Sequence, residues 1–221
     1  MKRILSIYVI GYLVLLMLVL GLLYAYPKLE LHLMLNACHT DLQDTFFKYY
    51  SQLAEWPLYV LGLLPLIWKK KSMTIFYALS ELTSGVLVQI LKHLFSAPRP
   101  IVAFENYPDA VLPLVEGVSL HHSNSFPSGH TSSFFVFATC CAVIVAYRYL
   151  LNARLGIRGS RLLLQLGMLG LLIFAAVGGY SRIYLSQHFL SDVCVGSIIG
   201  MTAPLLVFYF GRNKLLKLED V

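Results

Sequence analysis

From Ile4 to Tyr26 the chain carries no charged side chain, a run long enough for one helix to cross a bilayer. Backbone polar groups inside hydrocarbon must pair within their own segment, so such a run predicts a helix. Lys2 and Arg3 precede it, and it leaves through Tyr24-Ala25-Tyr26-Pro27 without the small-residue exit of a cleaved secretion signal. A retained span is therefore expected. Five more apolar segments follow, at about 53–68, 73–95, 127–150, 162–179 and 188–210. The segment at 53–68 is short and carries Pro57 and Pro65. Residues 28–52 are mixed and polar, a loop able to hold an interfacial helix. Composition agrees: 58% of residues are hydrophobic, 13% are charged and the mean hydropathy is +0.72. Those values exclude an ordinary soluble domain. The expected fold is an all-α membrane protein of six transmembrane helices, forming a single domain over residues 1–221.

The net charge of +6 reports topology, not nucleic-acid binding, once its distribution is followed. With six spans both termini lie on one side. On that side fall Lys2, Arg3, Lys69, Lys70, Lys71, Arg148, Arg154, Arg158, Arg161, Arg212, Lys214 and Lys217. On the other fall Lys28, Lys48, Lys92, Arg99 and Arg182, which completes the 17 Lys and Arg residues. Cytoplasmic flanks gather Lys and Arg, so both termini are expected in the cytoplasm of a bacterial-type inner membrane. Cys38, Cys140, Cys141 and Cys194 form no CxxC pair. Three of the four sit in apolar segments, where Cys behaves as a small hydrophobe.

The same topology brings three polar islands to the outer membrane face. They are Lys92–Pro100, Ser125–His130 and Ser181–Asp192. Lys92, Arg99 and Arg182 supply three cations, two of them guanidiniums suited to forked contacts with phosphate oxygens. Ser128 and Gly129 open a predicted helix, whose unpaired N–H groups favour an anion. Gly129 also lets that anion approach the backbone. Asp192 follows His188 by four residues, which on a helix puts both on one face with Arg182 just ahead of it. A carboxylate that fixes the His188 tautomer leaves the other ring nitrogen free to attack. His130 is then available to protonate a leaving oxygen and afterwards to activate water. The chain offers no acidic cluster for magnesium, so the expectation is no metal and no cofactor, with the cations stabilising transition-state charge.

Lys92-x6-Arg99-Pro100, Pro127-Ser128-Gly129-His130 and Ser181-Arg182-x5-His188-x3-Asp192 together resemble the three-part signature of the type-2 phosphatidic acid phosphatase superfamily. The resemblance covers roughly Lys92 to Asp192 and the six-helix plan. It implies a metal-independent phosphatase acting on lipid phosphates or diphosphates through a phosphohistidine. His188 is implied as nucleophile, Asp192 as its partner and His130 as acid/base. Lys92, Arg99, Ser128, Gly129 and Arg182 are implied to bind phosphate. The expected partners are the bilayer and a lipid phosphate, with no nucleic acid and no obligate protein. The phosphate is expected to enter between the third, fourth and sixth spans.

Other readings compete. A phosphohistidine intercepted by an acceptor other than water makes a phosphotransferase. A lipid-anion carrier needs cations and N–H groups, but has no use for a proton-transfer pair such as His130 and His188–Asp192. Six spans disfavour a soluble vanadate haloperoxidase, which shares the three motifs. His32, His39, Asp41 and Asp44 read as a solvated loop in preference to a metal site. His121 and His122 read as loop residues. Glu81, about two turns inside the third span, reads as a contact with another helix far from Lys92. Gly196 and Gly200 form GxxxG, a close-packing face. The connection 101–126, with Glu105, Asp109 and Glu116, is expected to help set headgroup preference.

Overall fold

A computed structural model of the chain describes residues 2–68, 70–107, 110–154 and 160–215. Lys69, Asp109, Arg158 and Lys217 lie outside the described residues. Among the described residues there are helices and turns and no strand. Five helices are long and apolar enough to cross a membrane: α1 (Lys2–Ala25), α5 (Lys71–Phe95), α7 (Gly129–Arg154), α8 (Arg161–Tyr184) and α9 (Leu190–Leu215). Between them lie the short helices α2 (Lys28–Leu35), α3 (Asp41–Gln52), α4 (Pro57–Leu63) and α6 (Pro100–Phe104).

The segment expected as the second span is not one long helix. Pro57 starts α4, and one 3₁₀ turn, Leu64–Leu66, follows it with Pro65 near its start. Proline lacks the N–H that would continue the α ladder, which breaks the segment in two. It packs against α5 and α7 through a few side chains. Tyr59 hydrogen-bonds Ser133 at 3.1 Å, the Tyr77 hydroxyl donates to Leu58 O at 3.1 Å, and Gly62 lies flat against the Tyr77 ring.

Polar caps set several helix starts. Thr40 accepts from the Gln43 N–H at the head of α3, Ser128 from the Thr131 N–H at α7, and Ser160 from the Leu163 N–H at α8. Ser96, in the left-handed region at φ 41°, turns the chain out of α5 ahead of Pro98. Hydropathy ends the fifth span at Gly179, whereas α8 continues to Tyr184. Ser181 and Arg182 are polar but buried, so the helix persists where the apolar signal stops. Arg182 therefore sits in the last turn of α8, not in a free approach to the next helix.

α7 is the central strut. Its Phe134, Phe135 and Ala138 are buried in the main apolar cluster with Tyr8, Leu58, Met168 and Met201. Tyr50 stacks on Phe134 at 5.5 Å between centroids and 7° between planes. Side-chain hydrogen bonds fasten α1 to the bundle, Tyr8 to Thr139 and Tyr12 to Ser197. α9 lies closest of all. A Cβ on Gly196 would fall 2.5 Å from the Ser128 carbonyl oxygen, and one on Gly200 would overlap the Ser132 carbonyl oxygen. Gly196-x3-Gly200 is thus the close-packing face, one helix backbone resting on the other.

Two sequence expectations for residues 28–52 change. The segment forms two helices, and His32 is not solvated. It is 1% exposed, packed between Phe104 and Phe189, with neither ring nitrogen hydrogen-bonded. His39 is held by Asp44 and Asn36, each at 2.8 Å, and stacks on Tyr184. These residues form packing and polar contacts. Among the described residues no group of three or more His, Cys, Asp or Glu side chains is placed to hold a metal ion.

Candidate active site

The three islands converge at one end of the bundle. α5 ends there, α7 begins there, and α8 turns into α9 there. Main-chain hydrogen bonds stitch them together: Ser128 N–H donates to Asp192 O at 3.0 Å, Ser125 N–H to Ala97 O at 2.9 Å, and His188 N–H to Arg182 O at 3.0 Å.

His188 is not in a helix. α9 starts at Leu190, and His188 occupies the turn before it, just after Ser186 at φ 51°. The expected shared helix face is therefore replaced by a cap. Asp192 lies in the first turn of α9, and its Oδ2 accepts from the Phe189 N–H at 3.1 Å. The pairing survives the correction, because the turn folds His188 Nδ1 to 3.6 Å from the same Oδ2. Ser125 Oγ donates to that oxygen at 2.5 Å, and Ser191 Oγ donates to Oδ1 at 3.0 Å. Both members of the pair are buried at 1% exposure. With Nδ1 turned to the carboxylate, Nε2 is the ring atom left for chemistry. Burial pulls the His188 pKa well below the ordinary imidazole value. Asp192 opposes that fall, and Arg182 and Arg99 add to it. The ring is neutral at pH 7, the state a nucleophile requires.

The cations surround it. Arg99 is buried, with Nε donating to Ser123 O and Nη1 to both the main-chain and side-chain oxygens of Gln187, each at 3.1 Å. Arg182 is also buried. Its Nη1 donates to Ser51 Oγ, while its Nε–H has no partner. A buried guanidinium donor left open is costly unless an anion takes it, by about 1–3 kcal/mol or more. Lys92 lies within electrostatic reach of Arg99, Arg182 and Asp192. Ser128 caps α7 through the Thr131 N–H, and the Gly129 and His130 N–H groups belong to the first turn, which has no intrahelical acceptors. His130 faces Arg182, His188, Lys92 and Arg99. All eight residues expected from the sequence thus meet in one place.

Others are not evident from the sequence. Ser125 lies inside the second island with no role that its spacing suggests, and Gln187 occupies a spacer position of the third. Ser51, in the last turn of α3, and Glu55, in the turn after it, are far away in sequence and carry no local signal. Glu55 Oε1 lies 3.9 Å from His130 Nε2. His121, read as a loop residue, is in the loop but within electrostatic reach of Arg99, Arg182 and Lys92. Burial first, then those cations, lower its pKa. Gln187 Nε2 donates to Ser119 O at 3.1 Å, and Ser186 Oγ to Pro113 O at 2.8 Å, which ties the 101–126 connection over the site.

A cavity of about 990 Å³ runs from Lys92, Gly129 and His130 down between α4, α5 and α7 to Tyr77. Leu63, Leu82, Val86 and Ile90 give it an apolar wall. No residue of α9 lines this cavity, and Gly196 and Gly200 hold that helix against α7. Glu81 makes the expected inter-helix contact, accepting from Tyr77 at 3.0 Å and Ser133 at 3.4 Å. It also lines the cavity that reaches Lys92, about 16 Å away along α5.

A buried, carboxylate-backed imidazole, a second histidine and three cations, one with an open donor, gather at one end of a helical bundle. Comparison with known proteins agrees. Residues 73–215 match the model of the PAP2 superfamily. The chain is 30% identical over 164 residues to the bacitracin transport permease protein BcrC of Bacillus licheniformis, covering 71% of this chain and 68% of that protein. The crystal structure of Aquifex aeolicus LpxE superposes with a TM-score of 0.61 at 28% identity, covering 84% of this chain and 97% of that one. The transmembrane PAP2-type phosphatidylglycerolphosphate phosphatase of Bacillus subtilis shares the fold, with a TM-score of 0.63 at 20% identity over 96% and 98% of the two chains. The chain belongs to the PAP2 superfamily. It is a membrane-embedded lipid phosphatase, a hydrolase of phosphate esters.

Proposed function

We propose that the protein removes a phosphate from a lipid phosphate or diphosphate through a covalent phosphohistidine, without a metal. His188 Nε2 attacks phosphorus in line while the bond to the leaving oxygen breaks, and Asp192 stabilises the imidazolium that forms at Nδ1. His130 gives its proton to the leaving lipid oxygen. In the second half-reaction it takes a proton from water, whose oxygen attacks phosphorus and breaks the P–N bond, releasing phosphate and restoring His188. Lys92, Arg99, Arg182 and the N–H groups around Ser128 and Gly129 hold the non-bridging oxygens and balance their transition-state charge. The observation that carries this reading is the buried His188–Asp192 pair beside the unpartnered Nε–H of Arg182.

The lipid chain occupies the apolar cavity between α4, α5 and α7, which begins at His130, where the leaving group would stand. Six crossings, cytoplasmic termini and an outward site complete the reading, with the whole chain acting as one domain. Lys71, Arg148 and Arg161 lie at helix ends opposite the site, as the positive-inside rule asks. The α4 segment supports the sixth crossing, since it follows α5 from Glu55 beside His130 down to Gly62 against Tyr77. Undecaprenyl diphosphate, lipid A, phosphatidylglycerophosphate and phosphatidate all fit a site that reads phosphate.

Purified protein assayed in detergent against these four lipids, with chelator present, tests the proposal. Turnover of at least one, inhibition by orthovanadate and a phosphoenzyme absent from His188→Ala are expected. Activity that vanishes with chelator, or survives in His188→Ala, overturns the mechanism. Binding without turnover makes the protein a carrier, and phosphate recovered on an added alcohol instead of water makes it a transferase.

A further inference from the structure

His130 has a difficult position for a general acid. It must carry a proton when the leaving oxygen departs, yet Lys92 on α5, Arg99 after it and Arg182 on α8 all lie within electrostatic reach of it. Like charge so close disfavours the imidazolium. The carboxylate nearest the nucleophile gives no relief, because Asp192 is occupied by His188, Ser125, Ser191 and the Phe189 N–H. Glu81, which shares the cavity, is occupied by Tyr77 and Ser133.

Glu55 stands on the other side of His130. Its Oε1 is 3.9 Å from Nε2, it lines the cavity assigned to the leaving group, and it lies within electrostatic reach of Arg182. Its backbone is fixed. Glu55 N–H donates to Gln52 O at 3.0 Å and Ala54 N–H to Ser51 O at 3.2 Å. Ala54 and Leu58 bury their side chains in the central cluster on either side of it. Ser51, one turn earlier, holds the Arg182 guanidinium. The end of α3 and the turn after it therefore brace a phosphate-binding arginine and present a carboxylate to the proton-donating histidine.

We propose that Glu55 is a positioning residue for His130, a second carboxylate–histidine pair that stabilises the imidazolium on the leaving-group side. This rests on the acid/base reading of His130. Glu55 is half-exposed and stands just beyond hydrogen-bond distance, so its effect is electrostatic and of moderate size. No bond forms to it. It holds the protonated state before the leaving group departs, and again after water has given up its proton.

The test is the pH dependence of kcat for phosphatidate with wild type, Glu55→Gln, Glu55→Asp and His130→Asn, each checked for an unchanged thermal midpoint. Loss of a negative charge lowers the His130 pKa, and the acid must be protonated to act. The alkaline limb of Glu55→Gln should therefore move to lower pH by roughly half to one unit. At the pH where wild type is half-active, kcat should fall about twofold to fivefold with KM unchanged. Glu55→Asp should restore part of the shift. A limb that stays in place in Glu55→Gln, while His130→Asn is inactive, overturns the role of Glu55 alone. A His130→Asn protein as active as wild type overturns the acid/base reading beneath it.

Discussion

Gly196 on α9 lies so close to Ser128 that a Cβ would stand 2.5 Å from the Ser128 carbonyl oxygen. The contact matters to the chemistry because Ser128 also donates its N–H to the carbonyl of Asp192, one turn earlier on α9. Helix packing and the alignment of two motifs are the same event. Gly196→Ala must push α9 away from α7 and carry Asp192 with it. A kcat loss of at least about tenfold is expected, with a lowered thermal midpoint, because overpacking a close interface costs roughly 1–3 kcal/mol. Wild-type activity in that variant would show that α9 can shift without disturbing the site.

Ser125 reaches Asp192 from outside any helix, at 2.5 Å, and stands 3.5 Å from His188 Nδ1. Ser125→Ala leaves the buried carboxylate one donor short, and the loss of such a bond to a charged group is worth about 1.5–3 kcal/mol. We expect kcat to fall on the order of tenfold or more while KM changes little, since no phosphate oxygen loses a contact. A purely KM effect in steady-state kinetics would assign Ser125 to substrate binding instead.

Arg182 splits its guanidinium between Ser51 and an unfilled direction. Lysine has one point of charge and no planar fork, so it cannot serve both. Arg182→Lys should lower kcat/KM about a hundredfold and weaken inhibition by orthovanadate. Ser51→Ala should reproduce a small part of that loss. Unchanged vanadate affinity in Arg182→Lys would remove Arg182 from the phosphate-binding set.

His32 links pH to stability. Burial lowers its pKa from 6.5 to about 4, with Asp192 opposing and Lys28 assisting the shift. The unfolded chain then binds a proton at higher pH than the folded one. The contribution is fully present above about pH 6.5 and is lost as pH falls toward 4, amounting to roughly 3 kcal/mol at full extent. The thermal midpoint of the wild type should fall between pH 7 and pH 4.5. His32→Leu should show a shallower fall over the same range. Identical slopes in the two proteins would mean that His32 is not buried neutral.

Much of the site is legible in the sequence alone. The spacing of Lys92 and Arg99, the Pro127–His130 run, and Arg182, His188 and Asp192 are local patterns, and each is recorded within a dozen residues of chain. Local patterns say less about backbone shape. Spacing alone puts His188 and Asp192 on one helix, whereas a turn and a cap join them. Hydropathy stops at polar residues and so leaves Arg182 outside the span, although a buried arginine continues α8. Counting turns along α5 separates Glu81 from Lys92 but does not show that one cavity reaches both.

By itself the sequence determined that the chain enters a membrane, since an uncharged run such as Ile4–Tyr26 has no other favourable solvent. It also determined which residues belong to the three islands that gather at one end of the bundle, because their order and spacing are covalent. Only the tertiary structure decided what supports them. Ser51, Ser125, Gln187 and Glu55 act through distances between elements remote in sequence, and such distances are fixed by packing. Two glycines on α9, a stacked Tyr50 and Phe134, and a helix broken by Pro57 and Pro65 set those distances. None of them announces its partner in one dimension.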